Sequence, residues 1–197
     1  LQRTCKDAKI ADYKTEQKAV GYMSDELIQI RPVGAVKNRV KEPFLKTEDS
    51  DLKLQKDIDA IRKDLSKSRD QISEIVINKD IVDILDGIEA YSHLVVLYWA
   101  HKVPEASRSL TKVHPMGRND TPLSGIFSTC SPARPNPVLM SVVRLCARKE
   151  NVLHVKGLDA VDGSPVIDIK PYVKDFYPQK DVLIPDWMQK LCQEMKQ

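Results

Sequence analysis

Apolar and polar positions recur along this chain with two different periods, and the switch between them outlines its organisation. Residues 1–26, opening "LQRTCKDAKIADYKTEQKAV", carry no sustained stripe and predict a polar tail or a short helix. "LIQIRPVGAV", residues 27–36, is rich in β-formers, and Pro32 and Gly34 bend it, which predicts an edge or bulged strand. In the charged stretch that follows, Leu54, Ile58, Ile61, Leu65, Ile72 and Ile75 recur at steps of three, four or seven. That spacing predicts a long amphipathic helix inserted at about 50–75. "SEIVI" then reads as a strand and "DIVDILDGI" as a short helix closed by Gly87. "YSHLVVLYWAHKV" has few polar interruptions, so it predicts a strand buried on both sides or lining a barrel. Pro104, Pro115, Gly117 and Pro122 mark residues 103–124 as a long loop.

From residue 125 the period-two signals crowd together: "GIFSTC", "VLMSVVRLCAR", "NVLHVKGL" and "SPVIDIKPYV" each read as a strand. In the third, Leu153 and Val155 alternate with His154 and Lys156, the pattern of a half-solvated strand. After Pro185, "DWMQKLCQEM" sets Trp187 and Leu191 one helical turn apart, so residues 181–197 are expected to end in a helix. Strands dominate, their connections are short, and no βαβ alternation occurs. The expected fold is mainly β: a small β-barrel with peripheral helices and a long amphipathic helical insertion.

Composition narrows the chemistry. The 197 residues suit one domain with a helical appendage. No apolar run approaches the roughly 20 residues of a membrane span, and the polar opening has no secretory pattern, so a cytoplasmic protein without a membrane partner is expected. Cys5, Cys130, Cys146 and Cys192 lie far apart with no CxxC pair, which argues for free thiols and against a zinc site. A net charge of +3 leaves RNA binding open without implying it. The seven glycines never stand in G-x-G spacing, so neither a Rossmann turn nor a P-loop is present.

Three polar stretches sit at strand ends: "YWAHK", "STCSPARPNP" and "GLDAVDGSPVIDIKPY". In the second, Pro132, Pro135 and Pro137 stiffen an elbow that carries Arg134 and Asn136. A stiff loop loses little entropy on gripping a ligand. Arg134 suits a carboxylate or phosphate, and Asn136 an amide or adenine edge; equally, the elbow is a barrel corner whose arginine serves the structure. In the third, Asp159, Asp162 and Asp168 do not make a calcium loop, and "DAVDGS" reads as an Asp-Gly turn, so no metal is expected. Asp168 and Lys170 share one strand face, either as an ion pair or as a proton-transfer pair. Among the dispersed histidines, His101 stands out because it ends the buried strand.

"GIFSTCSPARPNPVLMSVVRL" followed by "LHVKGLDAVDGSPVIDIKPY" resembles the TsaA/TrmO-like (YaeB-like) family of tRNA adenosine N6-methyltransferases; "EAYSHLVVLYWAHK" and "IRPVGAV" resemble earlier blocks of the same pattern. The resemblance implies a barrel over residues 27–180 that binds S-adenosyl-L-methionine without a Rossmann unit. It also implies a homodimer that methylates the exocyclic amine of a threonylcarbamoyl-adenosine beside a tRNA anticodon. By position it assigns cofactor contacts to His101, Lys102, Cys130, Met140 and the turn Asp159, Ala160, Val161, Asp162, with Arg134 and Asn136 holding the elbow. Asp168, Lys170 and Tyr172 are expected to face the substrate adenosine, with Asp168 as base. Cys130 stands where the family pattern has an arginine, Leu139 where it has a glycine, and the early proline-arginine-glutamine triplet is missing. Those differences keep two other readings in view: a different RNA or small-molecule substrate, and a non-catalytic barrel that binds a partner.

Overall fold

The computed structural model describes residues 28–43, 45–48, 51–54 and 70–195. The chain divides into two compact units, Leu1–Ile30 and Arg31–Gln197, and all elements named below belong to the second. The tail expected over 1–26 lies outside the described residues.

Six strands close a barrel in the order β1-β10-β5-β8-β9-β4. They are β1 (Gly34–Lys37), β4 (Ile72–Ile77), β5 (His93–Trp99), β8 (Val138–Lys149), β9 (Val152–Lys156) and β10 (Pro165–Pro171). Every neighbouring pair is antiparallel. Closure leaves the barrel no free edge, so each strand can put alternate residues into one core. Val36, Ile75, Ile77, Leu94, Val96, Tyr98, Val143, Leu153, Val155 and Val166 fill it, all at most 2% exposed. Burying each of the aliphatic side chains among them stabilises the fold by roughly 1.5–3 kcal/mol. Two short ladders stand outside the barrel: β2 (Leu45–Glu48) with β3 (Asp51–Leu54), and β6 (Lys112–Val113) with β7 (Ser124–Gly125).

Gly34 enters β1 where no side chain fits. A Cβ there would stand 2.3 Å from the Val76 carbonyl oxygen. β10 bulges between Val166 and Asp168, so Val166 and Ile169 face the core while Asp168 turns to the outer wall beside Leu97. The β5 strand is covered on both faces, with Val95 at 3% exposure and Val96 at 0%. An α-helix lying wholly within the described residues, α1, spans Asp186–Glu194.

Three expectations change. The helix expected over 50–75 is strand at its two ends, 51–54 and from Ile72, where the "SEIVI" strand begins; Asp70 is helical, and residues 55–69 lie outside the described residues. Ile72 and Ile75 match a helical step, yet the strand sends them to opposite faces: Ile72 is 50% exposed and Ile75 fully buried. "LIQIRPVGAV" pairs as strand only from Gly34. "GIFSTC" is strand only at its first glycine, then a 3-10 turn over Ile126–Ser128. Its hydroxyls explain the difference. Thr129 donates to the Ile126 carbonyl (2.9 Å), and the Thr129 and Ser131 side chains accept from the N–H groups of Ser131 and Ala133 (both 3.2 Å). These local bonds replace a ladder.

Candidate functional site

The barrel has one end at which the strand order gathers the end of β1, the start of β4, the end of β5, the start of β8, the end of β9 and the start of β10. The proline elbow, the His101–Lys102 turn and the acidic turn all arrive there.

The elbow is fastened to β5 by its backbone: the Pro137 carbonyl accepts the Ala100 N–H at 2.8 Å. Its arginine is committed to the structure. Arg134 Nη2 donates to the carbonyls of Thr129 (3.0 Å) and Ile126 (3.3 Å), and its guanidinium lies 5.9 Å from the Phe127 ring centroid. Its Nε is buried without a partner. Thus the side chain pins the 126–134 loop. Asn136 and Cys130 remain exposed.

The acidic turn is built by a residue outside the expected set. Asn38, just after β1, donates its backbone N–H to Asp162 Oδ1 (2.9 Å) and its amide to the Ala160 carbonyl (2.8 Å). Its side-chain oxygen accepts the Val40 N–H (3.0 Å), an Asx turn that the "KNRV" sequence signals in hindsight. Lys41 pairs with Asp162 Oδ2 at 2.6 Å. The Lys41 ammonium, and then the Asn38 N–H, hold the Asp162 carboxyl below its ordinary range. From inside the barrel, the Tyr98 hydroxyl donates to the Asp159 carbonyl, and Ser141 Oγ accepts the Asp159 N–H at 3.3 Å. Burial, reinforced by Asp159, pushes the Tyr98 phenol well up, so it remains a neutral donor.

Beside this turn, His101 Nε2 lies 3.9 Å from where a Cβ on Gly163 would stand. Partial burial of the ring, then the Lys102 charge, lowers the His101 pKa, and Asp162 offsets part of this. Lys102 bridges the Lys41 carbonyl and Glu42 (2.8 Å to Oε1). Asn38, Lys41, Glu42, Tyr98 and Ser141 therefore shape the rim alongside the expected residues.

On the outer wall, Met140 is 59% exposed and pairs across β5 with Leu97, which pairs in turn with Asp168. Met140 and Asp168 are thus two strand spacings apart, about 10 Å. Asp168 Oδ1 accepts the Ile169 N–H (2.9 Å) and Oδ2 meets Lys170 Nζ at 2.5 Å. Tyr172 lies farther along, roughly 13 Å from Asp168 at strand rise. It stacks on Tyr177 at 5.0 Å between centroids and meets His93 edge-on at 6.4 Å. The structure therefore brings together His101, Lys102, Asn136, Met140 and the 159–162 turn, places Asp168 next to them, and sets Tyr172 apart.

A ligand with an adenosine and a cationic amino-acid end fits this donor set. Exposed Met140 offers apolar cover, Asn136 and neutral His101 offer both donors and acceptors, and the 159–162 turn offers oxygens to a cation. Among the described residues no cluster of three His, Cys, Asp or Glu side chains is arranged for a metal, and no helix is long and apolar enough to cross a membrane.

The family model described as tRNA-methyltransferase O N-terminal domain matches residues 56–177. The chain is 42% identical over 153 residues to a probable S-adenosyl-L-methionine-binding protein of Methanothermobacter thermautotrophicus, covering 78% of this chain and 96% of that one. It is 41% identical over 95 residues to the tRNA (adenine(37)-N6)-methyltransferase of Escherichia coli, covering 46% of this chain and 40% of that one. A crystal structure of TrmO from Pseudomonas aeruginosa superposes with a TM-score of 0.58 and 26% identity, over 83% of this chain and 63% of that chain. The chain therefore spans nearly all of the archaeal relative and about two fifths of the Escherichia coli enzyme.

Proposed function

The chain belongs to the tRNA-methyltransferase O N-terminal domain family, and from that premise we propose that it transfers a methyl group from S-adenosyl-L-methionine to tRNA. The acceptor in this reading is the exocyclic amine of a threonylcarbamoyl-adenosine beside the anticodon, and the working form is a cytoplasmic homodimer. The observation that carries the reading is the gathering of elbow, β5 turn and acidic turn at one barrel end, with Asp168 two strands from Met140.

In this reading the cofactor lies against the rim held by His101, Lys102, Cys130, Arg134, Asn136, Met140 and Asp159–Asp162. Arg134 serves by stiffening the elbow, and Asn136 by hydrogen bonding. When bound, the sulfonium supplies an electrophilic methyl group: a nitrogen–carbon bond forms as the carbon–sulfur bond breaks. Conjugation makes the acceptor amine a poor nucleophile, so the chain must hold it within reach and in line. Leu97 and Met140 provide a flat apolar wall for the adenine. As the nitrogen is methylated its remaining proton becomes acidic, and a carboxylate suffices to take it. In this reading Asp168 takes that proton, with Lys170 fixing its orientation and Tyr172 gripping RNA farther along.

Calorimetry with S-adenosyl-L-methionine, joined to mass spectrometry of tRNA nucleosides from a deletion strain, tests the proposal. It predicts heat on titration and loss of the methylated threonylcarbamoyl-adenosine in the deletion. Unchanged nucleoside levels with normal cofactor binding would move the activity to another acceptor. No binding at millimolar ligand would leave a non-catalytic module.

A further inference from the structure

A second feature of the outer wall lies beyond the rim. Tyr172 follows β10, and its N–H donates to the His93 carbonyl at 3.0 Å. His93 pairs in register with Arg144 on β8, and Arg144 with Lys156 on β9. These positions alternate with core residues Leu94, Val143 and Val155, so all of them face outward. Tyr172, His93, Arg144 and Lys156 thus form a row across four adjacent strands, about 14 Å long at the usual strand spacing.

The row combines two properties. Arg144 and Lys156 make no ion pair among the described residues, whereas the nearby Lys170 is held by Asp168 and Lys37 by Glu74. At its Tyr172 end is a near-parallel aromatic stack: Tyr172 and Tyr177 lie 5.0 Å apart with 16° between their planes, and Tyr177 stays 36% exposed. Phe176 beside it is 81% exposed. The acids in the neighbourhood are Asp168, already paired, exposed Asp175 and, one strand beyond Lys156, Glu74, shared between Lys37 and His154.

Unpaired cations in line with an exposed stack of rings match one chemistry well: phosphates alternating with flat, unstacked bases. An acidic peptide would use the cations but leave the rings without a planar partner. We infer that this wall is a binding strip for single-stranded RNA, in which the Tyr172–Tyr177 stack receives an unpaired base while Arg144 and Lys156 receive flanking phosphates. The inference rests on the RNA substrate proposed above. It implies that the loop is gripped on the wall while the acceptor base reaches the rim.

The test is fluorescence anisotropy with a labelled anticodon stem–loop RNA at several salt concentrations. It compares the wild type, Tyr177→Ala, Tyr177→Phe and the double variant Arg144→Ala/Lys156→Ala, with S-adenosyl-L-methionine calorimetry alongside. Losing one base–aromatic stack lowers affinity about 5- to 150-fold, so Tyr177→Ala should fall in that range while Tyr177→Phe retains binding. The double variant should lower the magnitude of the salt slope by about 1.4, from two single-strand phosphate contacts at ~0.7 each. Cofactor heats should not change, and normal melting temperatures would show that the variants fold. Unchanged RNA affinity and salt slope in folded variants would overturn the strip, as would competition by polyglutamate as effective as that by RNA. Failure of cofactor binding in the wild type would instead overturn the methyltransferase reading and is seen separately.

Discussion

Tyr98 shows how much one buried hydroxyl does here. It is 2% exposed, lies among aliphatic core residues, and spends its proton on the Asp159 carbonyl, joining the core to the turn at the rim. Tyr98→Phe keeps the ring but leaves that carbonyl without its donor, at an expected cost of about 1–3 kcal/mol. The phenol's pKa is raised above its ordinary 10.0 in the folded protein. Its contribution is therefore fully present below about pH 10 and is lost as pH rises past that value. Urea titrations should show the gap between wild type and Tyr98→Phe constant up to about pH 10 and narrowing progressively above it; a gap that stays constant above about pH 10 would refute the assignment. Asp168 offers a second test at this scale. Asp168→Asn should lower kcat by 10²-fold or more, the usual weight of a general base, with cofactor binding intact. Full turnover would reduce Asp168 to the ion partner of Lys170. Arg134 was legible only as a donor of high value. Its fork could serve a ligand or the chain, and the choice depended on the 3-10 turn at Ile126–Ser128, which exposes carbonyls where the β-rich letters suggested a ladder.

Among the elements, β1 is the most sensitive closing piece. Gly34 begins it, pairing with Ile77 on one side and Val166 on the other. A methyl group there meets backbone of β4, which cannot turn aside as a side chain could. Gly34→Ala should destabilise the barrel by roughly 1–3 kcal/mol, read as a lower denaturation midpoint with an unchanged slope. A neutral result would mean that β1 shifts without loss of closure. The sequence made β5, β8, β9 and β10 plain because each carries a long period-two or fully apolar run. It pulled two ways at Ile75, counted both in the helical stripe with Ile72 and in the "SEIVI" strand; the strand holds, and Ser73, buried with Ile75 and Ile77, marks its inner face. A polar inner residue breaks the hydrophobic period that sequence reading depends on. Asn38 was missed for a related reason: its Asx turn onto Val40 is local, but the bonds to Ala160 and Asp162 that make it part of the rim reach more than a hundred positions away, and no local pattern announces them.

Over the whole unit, the barrel closes through pairings between distant segments, β1 with β10 above all. Among the described residues α1 is tied to the 115–121 loop by ion pairs centred on one fork, Arg118 with Glu194 and Asp120 with Lys190 at 3.9 Å. Arg118, 15% exposed at its side chain, forks to Asp120 (2.8 Å from Nε, 2.5 Å from Nη2) and also binds Glu194 near the end of α1. Thr121 bonds the carbonyls of Pro115 and Arg118, fixing the loop that presents this fork. The guanidinium holds the Asp120 carboxyl down to about 2 from its ordinary 3.8. Asp120 therefore holds the Arg118 fork in place for Glu194 at pH values above about 4 and loses that role as pH falls toward 2. Because no α1 residue belongs to the barrel core, losing this cation should free the helix without opening the sheet. In a Trp99→Phe background, the emission of half-buried Trp187 reports on the helix alone. Arg118→Ala should shift that emission to the red at neutral pH, leave the main melting transition of the barrel in place, and remove the acid-induced shift that the intact protein shows below about pH 4. If Arg118→Ala lowered the main transition as far as a core substitution does, α1 would be part of the barrel's cooperative unit, and attachment through a single fork would be wrong.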